Sequence, residues 1–270
     1  MPELPEVERA ARRIRRAIVG RTIARARLLH PALERRIAPR ALSSLRGHAI
    51  TAVEQRAKHQ LLVLDDGRAL HVHFRMSGDW KLDHAGDDLP RSARAAIDFT
   101  DGTRLLLIDP RALSSIVLLA KGAAPFEALG PDPSAENFDD ALAASLARRS
   151  AAIKPSLLDQ RVAAGVGNIY AAEALWEARI DPRTPAKSLT RPQVRALAGA
   201  IRAVLDRGRA RGRRYREGAS AFRVYDREGE PCPRCDTPIA RIVQGGRSTC
   251  FCPHCQGPAR IGPARSPAKR

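Results

Sequence analysis

The chain has 270 residues, of which 44% are hydrophobic, so it is long enough to bury a core and to form two lobes with a small appendage. This composition excludes a disordered or fibrous protein. Its 47 basic and 29 acidic residues give a net charge of +18, which favours a polyanionic partner, with nucleic acid ahead of an anionic membrane surface. Only six of the basic residues are lysines, and codon bias would also produce such an arginine excess, so the charge alone does not fix the partner.

The first predicted element is a helix close to the start of the chain. Gly20 ends a run in which apolar residues recur at the spacing of one helix face, namely Val7, Ala10, Ala11, Ile14, Ala17 and Ile18. The opening MPELPEVERA has no secretory signal, and no long uncharged apolar run follows it. We therefore expect a soluble, cytoplasmic protein that associates with no membrane.

The next hundred residues have the pattern of β-strands. From Thr22 to about Val117 the apolar runs are short, and two hairpins are predicted, one turning at residues 65–68 and the other at Asp101 and Gly102. This arrangement predicts an antiparallel β-sandwich or barrel.

The second half of the chain has helical periodicity. A proline-rich stretch at 125–133 predicts a linker. Beyond it, apolar periodicity predicts helices at about 137–149, 155–160, 168–179 and 190–207. Residues 208–230 are rich in arginine and glycine without a clear period and are predicted to be a long loop, and the segment after Gly257 is predicted to be a disordered tail.

A glycine-rich turn precedes the third of these helices. Gly165 and Gly167 lead to Asn168, which can cap the helix while exposed backbone amides bind an anion. A dinucleotide site is excluded, because the third glycine of that motif is absent and no strand precedes the turn. The turn alone favours a simple helix–helix connection, and the +18 charge makes a DNA phosphate the better candidate.

Four cysteines have the spacing of a metal site. Two CxxC pairs, separated by 16 residues, are formed by Cys232, Cys235, Cys252 and Cys255. Four thiolates leave no open position for a catalytic water, so we predict one structural Zn²⁺. The segment between the pairs predicts a β-hairpin with Arg247 near its tip, and Cys250, out of register with both pairs, is predicted to be a partly buried residue outside the ligand set.

Separated motifs along the chain together resemble the formamidopyrimidine-DNA glycosylase family. They are MPELPEVE at the start, Arg56-Ala57-Lys58-His59 before a hairpin, Asp109-Pro110-Arg111, Ile153-Lys154-Pro155 with GVGNIYAAEAL, and the zinc hairpin. They span nearly the whole chain in the family's order, which makes a chance match very improbable.

The resemblance implies an α+β multidomain fold. It consists of an N-terminal antiparallel β-sandwich with an N-terminal helix, a helical domain with a helix-two-turn-helix, and a C-terminal zinc β-hairpin, with DNA crossing the cleft between the lobes. The implied boundaries are 1–124 for the catalytic sandwich domain, 125–135 for the linker, 136–229 for the helix-two-turn-helix domain, 230–257 for the zinc finger and 258–270 for a basic tail.

The resemblance also implies an activity: a bifunctional DNA glycosylase/AP lyase that flips oxidised or ring-opened purines out of duplex DNA, excises them and cleaves the strand by β,δ-elimination. Such an enzyme acts as a monomer on double-stranded damaged DNA without a nucleotide cofactor. Pro2 corresponds to the Schiff-base nucleophile and Glu3 to the acid/base beside it. Lys58 corresponds to a lysine that assists elimination and holds a phosphate, and Arg247 to an arginine of phosphate binding and final elimination.

The chemistry of a terminal proline fits that role independently. An α-amino group has a pKa of about 8, against about 10.4 for lysine, so a useful share is unprotonated near neutral pH. Because proline is a secondary amine, its adduct with the sugar is an iminium that cannot lose an N–H proton and stays an electron sink. The nucleophile requires removal of Met1, which a small second residue such as Pro2 permits.

Side chains that touch DNA are implied as well. The void left by a flipped base is filled by Met76, Arg111 and a third residue, which is usually phenylalanine in the family and is Leu113 here. Leucine can wedge but cannot stack as a ring does. Phosphate or lesion contacts are expected from Arg149, Lys154, Asn168 and Arg94. Arg94 lies about where the family often has a histidine.

Two other functions stay open at this point. An endonuclease VIII-like glycosylase for oxidised pyrimidines would use the same Pro2 chemistry, although PELPEVE favours the purine branch. A non-catalytic, zinc-containing damaged-DNA-binding protein is disfavoured because Pro2, Glu3, Lys58 and Arg247 are all present.

One segment departs from the family. Residues 208–218 do not align with the loop that closes over a flipped purine, and they carry Arg209, Arg211, Arg213, Arg214 and Arg216. Guanidinium groups lack the acceptors that would bind the N–H donors of a purine, so they suit phosphates better. With Leu113, this predicts weaker discrimination of 8-oxoguanine from other lesions, unless backbone groups of a differently shaped loop do the same work.

Overall fold

The structure is a computed structural model that describes residues 2–34, 37–211 and 222–257. It divides into two compact units. The first contains the residues up to Asp132 and the end of the long helix from Leu205, and the second contains Pro133 to Val204 and the described residues from 222 onward. Within the described residues, no helix combines the length and the apolar character needed to cross a membrane.

The described residues of the first unit up to Asp132 form three helices and eight strands. The helices are α1 (Leu4–Ile18), α2 (Pro31–Glu34) and α3 (Pro39–Ser43). The strands are β1 (Ile23–Leu28), β2 (Ile50–Arg56), β3 (His59–Leu64), β4 (Ala69–His73), β5 (Asp79–His84), β6 (Ala93–Phe99), β7 (Thr103–Ile108) and β8 (Ser115–Leu119). The strands form two antiparallel sheets in the orders β1-β6-β7-β5 and β2-β3-β4-β8.

A single hydrophobic core joins both sheets and α1. Leu62 and Val72 of one sheet and Ile97 and Leu105 of the other belong to the same buried cluster as Ile14 of α1. Both predicted hairpins are present, and Gly67 has φ +84°, a conformation that glycine adopts at no steric cost. The prediction of an antiparallel β-sandwich behind an N-terminal helix is therefore confirmed.

The second unit is mainly helical. Its elements are α4 (Phe138–Ala147), α5 (Ile153–Leu158), α6 (Asn168–Glu177), a short 3₁₀ helix (Ala186–Ser188), α7 (Arg191–Ala210), β9 (Ala240–Gln244) and β10 (Arg247–Phe251). The residues of α7 from Leu205 onward belong to the first unit. Helix α5 starts two residues earlier than predicted, because Pro155 is tolerated within a first helical turn. The predicted capping box at the start of α7 is present, with the Thr190 N–H donating to Gln193 Oε1 at 2.9 Å.

The structure corrects two predictions. Helix α7 extends to Ala210, so residues 208–210 are not loop, and Arg209 is bound by Glu8 at 2.7 and 2.9 Å and does not present an open guanidinium to a phosphate. The N-cap of α6 is Gly167, and Asn168 is its first helical residue. Arg213, Arg214, Arg216 and the tail 258–270 lie outside the described residues.

Candidate active site

Pro2 and Glu3 lie immediately before α1. Pro2 is half-buried, and Glu3 is fully buried as the N-cap of the helix. Glu3 and Glu6 form a capping box in which the Glu3 N–H donates to Glu6 Oε2 at 2.9 Å. The helix start therefore fixes a carboxylate one residue after Pro2.

Lys58 lies in the tight turn between β2 and β3. It is only 8% exposed, and the preceding Ala57 has φ +52°, an uncommon conformation for a residue with a side chain. Gln55 Nε2 donates to the Ala57 carbonyl oxygen and closes the turn. The turn geometry thus sets the direction of the Lys58 side chain.

Three histidines next to Lys58 were missed by the sequence analysis. His59 and His73 are opposite each other on β3 and β4, and His59 Nδ1 lies 2.8 Å from His71 Nε2. Burial, and then the charges of neighbouring groups including Lys58 and Arg75, lower the pKa of His59 to about 4 and that of His73 to about 3. The alternating histidines of β4, opposite His59, are the pattern that could have predicted this cluster.

The predicted void-filling residues occupy two loops of the first unit. Met76 lies between β4 and β5 and is 40% exposed, and Leu113 lies between β7 and β8 and is 46% exposed. Arg111, in the same loop as Leu113, is exposed too. All three side chains are therefore accessible to a partner.

Arg94 is not on the surface. It is 9% exposed, and its guanidinium donates to the carbonyl oxygens of Asp109 (2.7 Å), Arg91 (2.8 Å) and Pro110 (3.3 Å). We propose that it supports the Asp109–Arg111 turn. Its contact with DNA stays a prediction.

In the second unit, Lys154 and Asn168 converge on the zinc hairpin. Lys154 is 1% exposed, and its ammonium group donates to Asn168 Oδ1 (2.6 Å), the Ser248 carbonyl oxygen (2.8 Å) and Thr249 Oγ1 (2.8 Å). Asn168 also donates to the Ser248 carbonyl oxygen at 3.1 Å. Both side chains therefore connect the helices to β10, and Asn168 stays half-exposed. Their contact with DNA stays a prediction.

Arg149 is held by a carboxylate. Its Nη2 atom donates to Asp159 Oδ2 at 2.8 Å, and Arg161 binds the same oxygen at 2.9 Å. About a third of the Arg149 side chain is exposed, so one face of the guanidinium stays open to solvent. Its contact with a phosphate likewise stays a prediction.

The four predicted metal ligands form one cluster. Their Sγ atoms all lie within 4.8 Å of one another, with Cys232–Cys255, Cys235–Cys252 and Cys235–Cys255 separations of 4.0, 3.5 and 3.3 Å. A tetrahedron with Zn–S bonds of about 2.3 Å has S–S edges of about 3.8 Å, so the donor set fits one structural Zn²⁺. Cys250 is buried on β10 outside the cluster.

The zinc hairpin is anchored to α6. Trp176 Nε1 donates to Cys232 Sγ at 3.5 Å, and the Arg234 guanidinium lies 3.6 Å from the centre of the Trp176 ring. At the other end of the hairpin, Arg247 is exposed and pairs with Gln244 across the turn. A metal bound at the base would therefore order a strand pair that presents Arg247 at its tip.

Three family models match the sequence. They are the formamidopyrimidine-DNA glycosylase N-terminal domain over residues 1–116, the formamidopyrimidine-DNA glycosylase H2TH domain over 129–216, and the zinc finger found in FPG and IleRS over 229–257.

Individual proteins match this chain over nearly its whole length. The formamidopyrimidine-DNA glycosylases of Chloroflexus aggregans and Paracoccus denitrificans are 45% and 41% identical over 95% of this chain and over 98% and 100% of their own lengths. The Lactococcus lactis enzyme non-covalently bound to AP-site-containing DNA has a TM-score of 0.88 at 29% identity, and MutM in complex with carbocyclic 8-oxo-G-containing DNA a TM-score of 0.89 at 29% identity. In both cases the match covers 95% of this chain and 100% of the other.

Proposed function

The chain belongs to the formamidopyrimidine-DNA glycosylase family, and on that premise we propose that it excises oxidised or ring-opened purines from duplex DNA and then cleaves the strand. The observation that carries the proposal is the half-buried Pro2 beside the fully buried Glu3 at the start of α1. A terminal secondary amine next to a fixed carboxyl group supplies a nucleophile and a proton-transfer group at one place.

In the proposed first step, the unprotonated Pro2 nitrogen attacks the sugar C1′ atom. The bond from C1′ to the base breaks, and the base leaves with a proton. The sugar ring opens as its oxygen takes a proton, a transfer that we assign to Glu3, and the proline N–H proton is lost. The product is an iminium linking Pro2 to C1′.

In the second step, the iminium accepts electrons from the sugar. Loss of a C2′ proton expels the 3′ phosphate, and a second elimination expels the 5′ phosphate. Water then hydrolyses the sugar remnant and restores the amine of Pro2. We assign the stabilisation of the phosphates during these eliminations to Lys58 and Arg247, because both are cations and a phosphate leaving group is anionic.

We further propose that the chain binds damaged duplex DNA as a monomer, with the sandwich as the catalytic domain 1–124, residues 125–135 as the linker, 136–229 as the helix-two-turn-helix domain and 230–257 as the zinc finger. Met76, Arg111 and Leu113 fill the void left by the flipped nucleotide. The three family matches support this division, and the exposure of the three side chains supports their assignment to the void. In the cell, such an enzyme is cytoplasmic and nucleoid-associated through its DNA.

Product analysis tests the proposed function. A duplex containing a formamidopyrimidine is incubated with the holoprotein, and we expect release of the free base and a one-nucleotide gap with phosphate at both ends. Retarded DNA without release of base or strand cleavage would instead identify a non-catalytic binder. Faster excision of 5-hydroxycytosine than of any purine lesion would identify an enzyme of the pyrimidine branch.

The same assay tests lesion preference. Because the 208–218 segment departs from the family and Leu113 replaces an aromatic wedge, we expect 8-oxoguanine to be excised less than about a hundredfold faster than 5-hydroxycytosine, or about 2.7 kcal/mol of transition-state discrimination. Single-turnover rates on matched duplexes measure this ratio. A larger ratio would show that a differently shaped loop retains the specificity.

A further inference from the structure

The two loops that carry the proposed void-filling residues are far apart in sequence. Met76 follows β4, and Arg111 and Leu113 follow β7. Three side chains that enter one void must keep a fixed spacing relative to one another, so something must hold one loop against the other.

The carboxylate of Asp109 connects the two loops. It is fully buried and accepts hydrogen bonds from the backbone N–H groups of Arg111 (3.1 Å), Leu113 (2.7 Å) and Ser114 (2.7 Å) in its own loop. The hydroxyl of Ser77, next to Met76 in the other loop, donates to Oδ1 of the same carboxylate, the oxygen that also accepts from the Arg111 N–H. One carboxylate thus binds both loops.

Ser114 lies close to both loops. Its Oγ atom lies 2.8 Å from Asp109 Oδ2 and 3.2 Å from the Phe74 carbonyl oxygen, at the start of the Met76 loop, and its single hydrogen is donated to one of these two acceptors at a time. Burial acts to raise the pKa of Asp109, but the hydrogen bonds from Ser77 and Ser114 outweigh it, so the pKa is lowered and the group is an anion at neutral pH.

The close approach of the loops leaves no room for a side chain at Gly78. A Cβ atom there would lie 2.4 Å from Ser114 Oγ and 2.7 Å from the Phe74 carbonyl oxygen. In addition, Arg75 and Ala112 adopt left-handed conformations, with φ +53° and +51°, next to the three void-filling residues. Such conformations persist only where surrounding contacts impose them. Ala112 lies between two N–H groups that bind the Asp109 carboxylate, those of Arg111 and Leu113, whereas the Arg75 N–H donates to His73 Nδ1 at 3.0 Å.

Arg94 holds the backbone of Asp109 in place. Its guanidinium binds the carbonyl oxygens of Asp109 and Pro110, so the backbone of Asp109 is fixed by one residue while its side chain fixes the loops.

We propose that Asp109 is a positioning residue for base extrusion, which holds Met76, Arg111 and Leu113 in one rigid arrangement through its hydrogen bonds to both loops. The inference rests on the proposed glycosylase function. It predicts that loss of Asp109 impairs removal of a stacked base more than it impairs cleavage at a site that has no base to extrude.

The variant Asp109→Asn tests this prediction. An asparagine amide places a donor where one carboxylate oxygen stood, so at least two of the five N–H and O–H donors lose their acceptor. We expect single-turnover excision of 8-oxoguanine or formamidopyrimidine to fall on the order of 100-fold. Cleavage of a preformed abasic site should change by less than about threefold, since extrusion costs least where no base is stacked.

Asp98→Asn is the matched control. Asp98 is also a buried carboxylate of the sandwich, but it binds Arg104 (2.5 Å) and Arg27 (3.0 Å) and neither void-filling loop. Fluorescence of 2-aminopurine next to the lesion reports unstacking directly. We expect it to be reduced in Asp109→Asn and unchanged in Asp98→Asn.

Ser77→Ala keeps the proposal testable if Asp109→Asn does not fold, because it removes only the hydroxyl that links the loops. We expect the same selective loss with a smaller amplitude. Equal losses of excision and abasic-site cleavage, or equal behaviour of the Asp109 and Asp98 variants, would overturn the inference. A wild-type protein that excises no base would instead contradict the proposed function.

Discussion

At the scale of single residues, the histidines beside Lys58 make stability depend on pH. His59 and His73 have pKa values of about 4 and about 3 in the folded protein, against about 6.5 in an unfolded chain. Between about pH 6.5 and pH 4 the unfolded state therefore binds more protons than the folded state. The histidines consequently contribute their whole stabilisation above about pH 6.5, and the free energy of unfolding decreases as the pH falls towards about 4. Lys58, Arg75 and His71 face the pair and contribute to this shift.

The double variant His59→Gln, His73→Gln tests this dependence. We expect its free energy of unfolding to vary less than that of the wild type between about pH 6.5 and pH 4, by a few kcal/mol at most, because the imidazoles are partly solvent-exposed. Urea titrations over this range measure the difference. His84→Gln, at an exposed position, is the control, and an unchanged slope in the double variant would contradict the prediction.

Arg75 offers a second test at this scale. Its φ of +53° costs a residue with a Cβ atom about 1 kcal/mol, and glycine avoids that cost. We expect Arg75→Gly to be about 1 kcal/mol more stable than Arg75→Ala, which loses the same charge and keeps the strain. Equal thermal midpoints of the two variants would show that the backbone is unstrained at this position.

At the level of secondary-structure elements, we expect the zinc hairpin to lose its metal and its order while the sandwich stays folded. Because the cysteine cluster lies at the base of β9 and β10 and Trp176 packs on it, Cys232→Ser should release zinc and weaken duplex binding while the sandwich stays folded. Metal analysis, DNA retardation and the near-ultraviolet spectrum measure these three effects. Cys250→Ser, outside the cluster, should keep its zinc. Full activity of Cys232→Ser would be evidence against the metal's role.

The elements also show what the sequence can predict. Periodicity and turn residues predicted α1, the hairpins and the capping box of α7, because each depends on residues close in sequence. The predicted bounds of α5, the end of α7 and the cap of α6 were wrong by one to three residues. At the start of α5 the Ile153 N–H donates to the Thr184 carbonyl oxygen at 2.7 Å, a contact that is distant in sequence. Arg209 continues α7 by pairing with Glu8, about two hundred residues away.

Side-chain roles show the same division. The zinc ligands were predictable from spacing alone, and the family comparison confirms both the resemblance and the fold. The burial of Arg94 and Lys154 was not predictable, because their acceptors are backbone carbonyls and side chains brought close only by the fold. The roles of Pro2, Glu3, Lys58 and Arg247 stay predictions.

At the scale of the whole molecule, a net charge of +18 predicts strong salt dependence of DNA binding. Each phosphate contact contributes about 0.9 to the slope of log K against log salt, so Arg247→Ala should lower the slope by about one unit. Arg191, exposed and paired with Asp140, is a matched arginine outside the proposed contacts, and Arg191→Ala should leave the slope unchanged. Equal slopes in the two variants would place Arg247 away from phosphates.

The proposed mechanism requires that the nitrogen of Pro2 becomes covalently bound to the sugar. Inserting a glutamate between Met1 and Pro2 blocks removal of Met1 and places the Pro2 nitrogen in a peptide bond. Borohydride reduction with abasic-site duplex should trap the wild-type protein and release an N-terminal peptide carrying the sugar adduct on Pro2 in mass spectrometry. The blocked protein should bind the same duplex and form no adduct. Trapping and strand cleavage by the blocked protein at the wild-type rate would contradict the claim.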